Sequence, residues 1–513
     1  MSLDGADRAA ANHQAGLLRR TPLSFRLKTA YGVGAMVDGL VSTAVNLYLF
    51  FYLTAVCGLS GSLTGTSLFV ALVIDAVADP LIGSMSDHHR SRWGRRHAFM
   101  VWGILPIAVA FGLLFTLPPQ AAGWGAFAYV TLLSVVLRVG LSAFNVPYAA
   151  LGAELTDDYV ERSSVVSYRL LLGIVGSVSC MALGPLVFFR GAGGMLQRAA
   201  YAPFAWSCAG LVVLSALTSI LGTLGARNRL HQSEGLGGNP LMQLLKGGGE
   251  LFRNPSFVAL FTCEVLYFVA LGVSNTLTFH AFNFFYHIPQ AVIQTILIAG
   301  CAGTPIGVWL NTYTSRHFEK RTVVIAGVLI TCVSQAALPL LKMAGWLPTP
   351  GPGLTAVMVA NSIFLGAIIT TESVAFYSML ADAADEHEHR FQVRREGLYF
   401  AGLSFAIKAS SGLGSLIAGV ALDLIHFPTA LVAKGSALPR IAPETLLKLG
   451  LIYGPGVAVL TLMAGLALLN YRLSRVAHGQ IQDELSQRRL DLAGSAAALN
   501  VRHGADAMSP GAR

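Results

Sequence analysis

Twelve runs of mostly apolar residues, each long enough to cross a bilayer, fix what this chain can fold into. A spanning helix needs about 20 such residues. The runs lie at 29–56, 63–86, 98–118, 124–152, 165–189, 204–225, 257–286, 291–314, 322–341, 353–381, 397–426 and 449–471. Lipid offers no partner to a backbone amide, so runs of this kind fold as helices. The 513-residue chain is only 12% charged and its mean hydropathy is +0.61, too little charge for the surface of a soluble domain. It therefore reads as an all-α, multi-pass protein of the lipid bilayer. Residues 1–21 are polar and basic with no apolar core, so no cleavable signal is expected.

The basic residues orient the runs. Of the 35 Lys and Arg, Arg190, Arg198, Lys342, Lys434, Arg440 and Lys448 fall in the segments opposite the termini, and Arg138, Arg169 and Lys408 fall inside runs. The rest lie on the side of both termini. Positive charge gathers in the cytoplasm, so both termini are expected there, with the chain in a cell membrane (the inner membrane in a bacterium). This distribution also explains the net charge of +9 without nucleic acid, which is excluded as a partner. The six cysteines show neither metal nor disulfide spacing.

The runs divide six and six around a polar segment. The expected parts are an N-terminal segment 1–28, a first six-helix bundle 29–225, a central loop 226–256, a second bundle 257–471 and a tail 472–513. A short surface helix is expected near 240–252. The halves echo each other: Pro80, Gly83, Ser91-Arg92 and Arg95-Arg96 recur as Pro305, Gly307, Ser315-Arg316 and Lys320-Arg321. Such a repeat suits a transporter built of two bundles.

Charged residues inside the runs mark the candidate site. Asp75 and Asp79 are spaced i, i+4, so both lie on one helix face. Lipid cannot solvate two like charges one turn apart; a bound cation, a proton or a base from another helix must compensate them. Pro80 follows at once and is expected to open the helix locally. Asp38, Ser42 and Asn46 form one polar stripe; Arg138, Ser142, Asn145 and Ala149 form another. Arg138 is expected to compensate Asp75 or Asp79. Arg169 is placed to reach an anionic substrate group or an acid. The second half carries Glu264, Tyr267, Asn275, Asn361, Glu372, Ser404, Lys408 and Ser411. His280 and Asp423 fall near outer ends and are expected at the surface. Segments 87–96, 154–162 and 382–396 mix both signs and are expected to form salt-bridge latches of a cytoplasmic gate, with Asp87, Arg92, Arg95, Arg96 and Arg316 as gate residues.

Tyr31-Gly-Val-Gly34, Asp75-Ala-Val-Ala-Asp-Pro80, Arg90-Ser-Arg-Trp-Gly-Arg95, Asn145-Val-Pro-Tyr148, Tyr168-Arg169, Arg395-Glu-Gly397 and Lys408 together resemble the glycoside–pentoside–hexuronide:cation symporters, the melibiose permease-like branch of the major facilitator superfamily. The resemblance covers roughly residues 25–470. It implies a major facilitator fold of twelve transmembrane helices in two six-helix bundles. It also implies that Asp75 and Asp79 bind the coupling cation, that Ser142 and Lys408 lie near them, and that Arg169 belongs to the substrate network. Asp38, Asn145 and Tyr148 complete the expected substrate contacts. Two departures stand out. Ala78 replaces an asparagine of the cation motif, and the family's sugar-binding carboxylates fall at Gly39 and Asn145.

The sequence thus predicts a non-enzymatic, monomeric symporter without cofactor, moving a small organic solute with sodium or a proton. Sodium, if used, would sit on Asp75 and Asp79. A glycoside or sugar acid is the first expectation for the solute, a lysolipid or other amphiphile the second. A membrane transferase and a transporter-like sensor are the readings from other classes. No nucleophile motif or output domain stands out for them.

Overall fold

The structure, a computed structural model, describes residues 22–89, 91, 93–156, 158–190, 194–226, 249, 251–392, 396–428 and 441–488. Twelve helices are long and apolar enough to span a membrane. The first six are α1 (Phe25–Leu49), α2 (Gly61–His88), α3 (Arg95–Leu114), α4 (Gly123–Glu154), α5 (Val160–Phe188) and α6 (Arg198–Leu224). The second six are α7 (Pro255–Phe285), α8 (Val292–His317), α9 (Lys320–Met343), α10 (Pro352–Phe391), α11 (Leu398–Leu424) and α12 (Pro443–Asn470). No strand occurs among the described residues. An even number of spans returns the chain to its starting side; that side is called the terminal face below.

Several helices outrun the apolar runs that announce them. The tenth reaches Phe391 rather than 381, and the third and sixth start earlier, at Arg95 and Arg198. Hydropathy detects the part of a helix that lipid can cover, not the polar turns that extend it. Local chemistry sets the starts instead. Ser24, Ser60 and Asp158 accept hydrogen bonds from the first free N–H groups of α1, α2 and α5. Pro255, Pro352 and Pro443 occupy first-turn positions where no N–H is needed. The expected opening at Pro80 is absent, because α2 runs unbroken through it. Proline removes a single bond, and in lipid the rest of the ladder has no alternative partner. Most of the central loop, with its expected helix, lies outside the described residues. The tail continues as a helix over 475–488.

The packing repeats from one half to the other. In the first, α1 meets α5 and α6, α4 meets α2 and α3, and α3 meets α6. In the second, α7 meets α11 and α12, α10 meets α8 and α9, and α9 meets α12. The halves join mainly through α2 against α11 and α1 against α7. Glycines allow the first contact: a Cβ on Gly61 or Gly419 would run into the other's carbonyl, and one on Gly65 would meet the Ser415 carbonyl. Aromatic rings close the second. Tyr48 and Phe51 lie against Phe279, with ring centres 5.1 and 6.0 Å apart, and Phe51 also faces Phe284. The adjoining turns of α1 and α7 widen into π-helix at Ala44–Leu49 and Ala281–Phe285, a local change that recurs at functional positions.

These joints all lie on the side away from the termini. They close the space between the bundles at the end away from the termini.

Candidate functional site

Lys408 of α11 reaches across to α2. Its Nζ lies 2.8 Å from Asp75 Oδ2 and 2.5 Å from Asp79 Oδ2. Ser142 of α4 donates to the other oxygen of Asp75 at 2.8 Å. Among the described residues this is the one ion-paired link between the two halves. The two acids differ in access: 4% of the Asp75 side chain is exposed, against 32% for Asp79. Asp79, one turn closer to the terminal face, is the more accessible of the two. The i, i+4 spacing does what it promised, since both carboxylates point at one partner.

Arg138 is not that partner. It has no hydrogen bond or ion pair to a described residue. It lines a pocket between the halves with Asn46, Asn275, Thr276, Ser411 and Ser415. The expectation that it compensates Asp75 or Asp79 by direct contact is therefore corrected. Lys408 takes that position, and α4 turns Arg138 toward neutral hydrogen-bonding groups.

The expected substrate residues separate into two sets. Asp38 is exposed and accepts from Ser42 at 3.2 Å and from Asn145 at 3.1 Å. Tyr148 is buried, stacks on Tyr31 with ring centres 4.6 Å apart, and donates its hydroxyl to the Tyr31 carbonyl at 2.8 Å. Its polar end is thus committed to the packing of α1 on α4. Arg169, half-buried on α5, stands beside the Tyr31 and Tyr148 pair.

The residues expected at a gate form ties within each half. Arg96 bonds Asp87 at 2.5 Å and Glu154 at 2.8 Å, while Arg95 bonds Glu154 at 2.6 Å. These ties join α2, α3 and α4 of one bundle. Lys320 and Asp382 repeat the pattern in the second, at 2.6 Å. Arg316 is exposed, and its carbonyl, with those of Ser315 and Phe318, accepts from Arg475 at the start of the tail helix. Arg92 lies outside the described residues.

Two residues expected at the surface instead seal the closed end. Asp423 of α11 accepts from the N–H groups of Gly61 and Ser62, both at 2.8 Å, capping α2 from the opposite half. His280 is fully buried and shares a 3.1 Å hydrogen bond with Thr54. The spaced glycines of α2 and α11 were the sequence signal for this closure, since they mark where two helices can touch.

The chain matches the family model described as MFS/sugar transport protein over residues 30–475. It is 24% identical to the isoprimeverose transporter of Lactiplantibacillus pentosus over 489 residues, covering 94% of this chain and 96% of that protein. It is 25% identical to sodium-dependent lysophosphatidylcholine symporter 1 of Mus musculus over 479 residues, covering 85% of each. Among solved structures, the nucleoside transporter NupG superposes with a TM-score of 0.57 at 17% identity, covering 87% of this chain and 99% of that one.

Proposed function

The chain belongs to the MFS/sugar transport protein family, and from that premise we propose that it is a cation-coupled symporter of a small anionic solute, a sugar acid in first place. The observation that carries this reading is the Lys408 ammonium between Asp75 and Asp79. It stands where a monovalent cation would stand. A sodium ion arriving from the terminal face would meet Asp79 first, then Asp75 and the Ser142 hydroxyl, all supplied by the first half. Lys408, displaced, loses its two carboxylates, and the ion pair between the halves is broken.

Charge balance then favours an anion. Around the space between the bundles, Asp38, Asp75 and Asp79 are matched by Arg138, Arg169 and Lys408. Adding one cation leaves an excess positive charge in a low-dielectric setting, which is costly. A solute with one negative charge restores neutrality. Arg138 supplies a guanidinium without an acid partner for it, and Asn46, Asn275 and Ser411 supply hydrogen bonds for hydroxyl groups. Each cosubstrate thus improves the site for the other, the linkage symport requires. No bond is made or broken in the solute, so the protein acts as a carrier rather than an enzyme. The basic bias favours a cytoplasmic position for the terminal face and both termini in a cell membrane, and the proposed site needs only one chain.

A proton is the second reading for the ion, favoured by Ala78, which adds no oxygen to the pair. A lysolipid is the second reading for the solute, favoured by the likeness to the mouse symporter, because a phosphate would suit Arg138 as well. Uptake into proteoliposomes tests these assignments. Glucuronate is expected to accumulate under an imposed sodium gradient, and Arg138→Gln to lower its uptake at least tenfold. Neutral glucosides carried equally well by wild type and variant would overturn the anionic assignment. Uptake indifferent to sodium but collapsed by a protonophore would move the ion to a proton. Accumulation of lysophosphatidylcholine in place of glucuronate would decide for the lysolipid.

A further inference from the structure

A second pair of acids is buried in the other half of the molecule. Glu264 on α7 and Glu372 on α10 are only 7% and 4% exposed. Glu372 Oε1 accepts from the Tyr267 hydroxyl at 2.5 Å, while its Oε2 is buried with no donor. Glu264 has no hydrogen bond or ion pair to a described residue. The two carboxyl groups are close enough to act on each other's charge.

No base balances them. The titratable neighbours are Cys263 and Tyr267 of α7 and Tyr377 of α10. On α9 the facing residue is Gly327, where a Cβ would lie 2.8 Å from Glu372 Oε2. On α8, Asn311 donates to the Thr371 carbonyl. The α11 base, Lys408, is held by Asp75 and Asp79. The charged residues of α12, Glu444 and Lys448, pair with each other at its outer end. Two ionised carboxylates here would each lose hydration and would also repel each other.

A metal cation does not fit this pair. It needs several oxygens and room for them, yet Glu372 packs directly against the α9 backbone. The described residues hold no group of three or more metal-ligating side chains. A proton needs neither. We propose that Glu264 and Glu372 form a proton-binding pair that retains at least one proton in this conformation, separate from the Asp75 and Asp79 site. Tyr267 donates to Oε1, which leaves the unpartnered Oε2 and the Glu264 carboxyl as the atoms that can carry the proton. Glu264 lies nine residues into α7 from the terminal face, about 13 Å at helical rise, so that face is the nearer one for proton exchange. Its departure leaves two carboxylates on adjoining helices, and their repulsion loosens α7 from α10. The dyad does not rest on the cation assignment, and either can fail without the other.

Infrared difference spectroscopy on the purified full-length chain tests it. A protonated-carboxyl C=O band, shifted in D2O, is expected at neutral pH and is expected to fade as the solution is made alkaline. The double variant Glu264→Gln/Glu372→Gln should lack the band, whereas Asp75→Asn should keep it. A band that survives in the double variant, or no such band in the wild type, overturns the proposal. If the double variant does not fold, Tyr267→Phe decides: the band must shift in frequency, and an unshifted band overturns the dyad.

Discussion

The molecule buries two pairs of acids and balances them in opposite ways. Asp75 and Asp79 belong to the first half, and the second half sends Lys408 across to pair with both. Glu264 and Glu372 belong to the second half and receive no base, only the Tyr267 hydroxyl. The first pair is partly open to the space between the bundles, while the second is packed against a glycine backbone. A pair neutralised by a movable ammonium can exchange that charge for another monovalent cation. A pair with no cation and no room can be neutralised only by a proton. Like composition therefore gives unlike chemistry, set by what the neighbouring helix brings.

The sharpest way to break this contrast is to remove one charge from the first pair. Asp75→Asn leaves Lys408 paired with Asp79 alone and takes away the more buried ligand of the proposed cation. Gradient-driven accumulation in proteoliposomes should fall to the equilibrium level, the largest effect expected of any single change. Asp423 offers a milder case. It is an acid balanced by two backbone N–H groups of α2 instead of by a cation or proton. Asp423→Ala removes a charge-assisted cap that ties the halves at the closed end, worth about 1.5–3 kcal/mol by the usual range for hydrogen bonds to charged groups. The equilibrium between conformations should move roughly tenfold to a hundredfold away from this state. Labelling of a cysteine placed at the closed end should rise accordingly; unchanged labelling would show that Asp423 caps α2 without holding the seal.

Much of this was legible in the sequence because it follows from composition along a line. Apolar runs gave the twelve spans, and the i, i+4 acids marked the site. The repeated basic motif after α2 and α8 matched two equivalent ties, Arg95 to Glu154 and Lys320 to Asp382. What the sequence hid depends on rotation and on partners distant along the chain. Arg138 and Lys408 are both bases inside spans, and nothing local says which of them turns toward Asp75. Position along a run placed Asp423 and His280 near an end, but only the packing of α11 on α2 and α7 on α1 makes that end an interior. Tyr148 looked available for substrate because its hydroxyl is polar, yet its ring is consumed in a stack with Tyr31. Pro80 was expected to open α2 locally, and the helix runs unbroken through it.

The central claim is that a cation and Lys408 compete for the same two carboxylates. It is tested most directly by titrating sodium against the thermal stability of the purified full-length protein, since a ligand that binds the folded state raises its melting temperature. Wild type should respond, Asp75→Asn should not, and Lys408→Gln should respond at a sodium concentration lower by roughly tenfold or more, a gain of about 1.4 kcal/mol per tenfold, because no ammonium has to be displaced. Loss of the sodium response in Lys408→Gln, or its survival at wild-type strength in Asp75→Asn, would contradict the account.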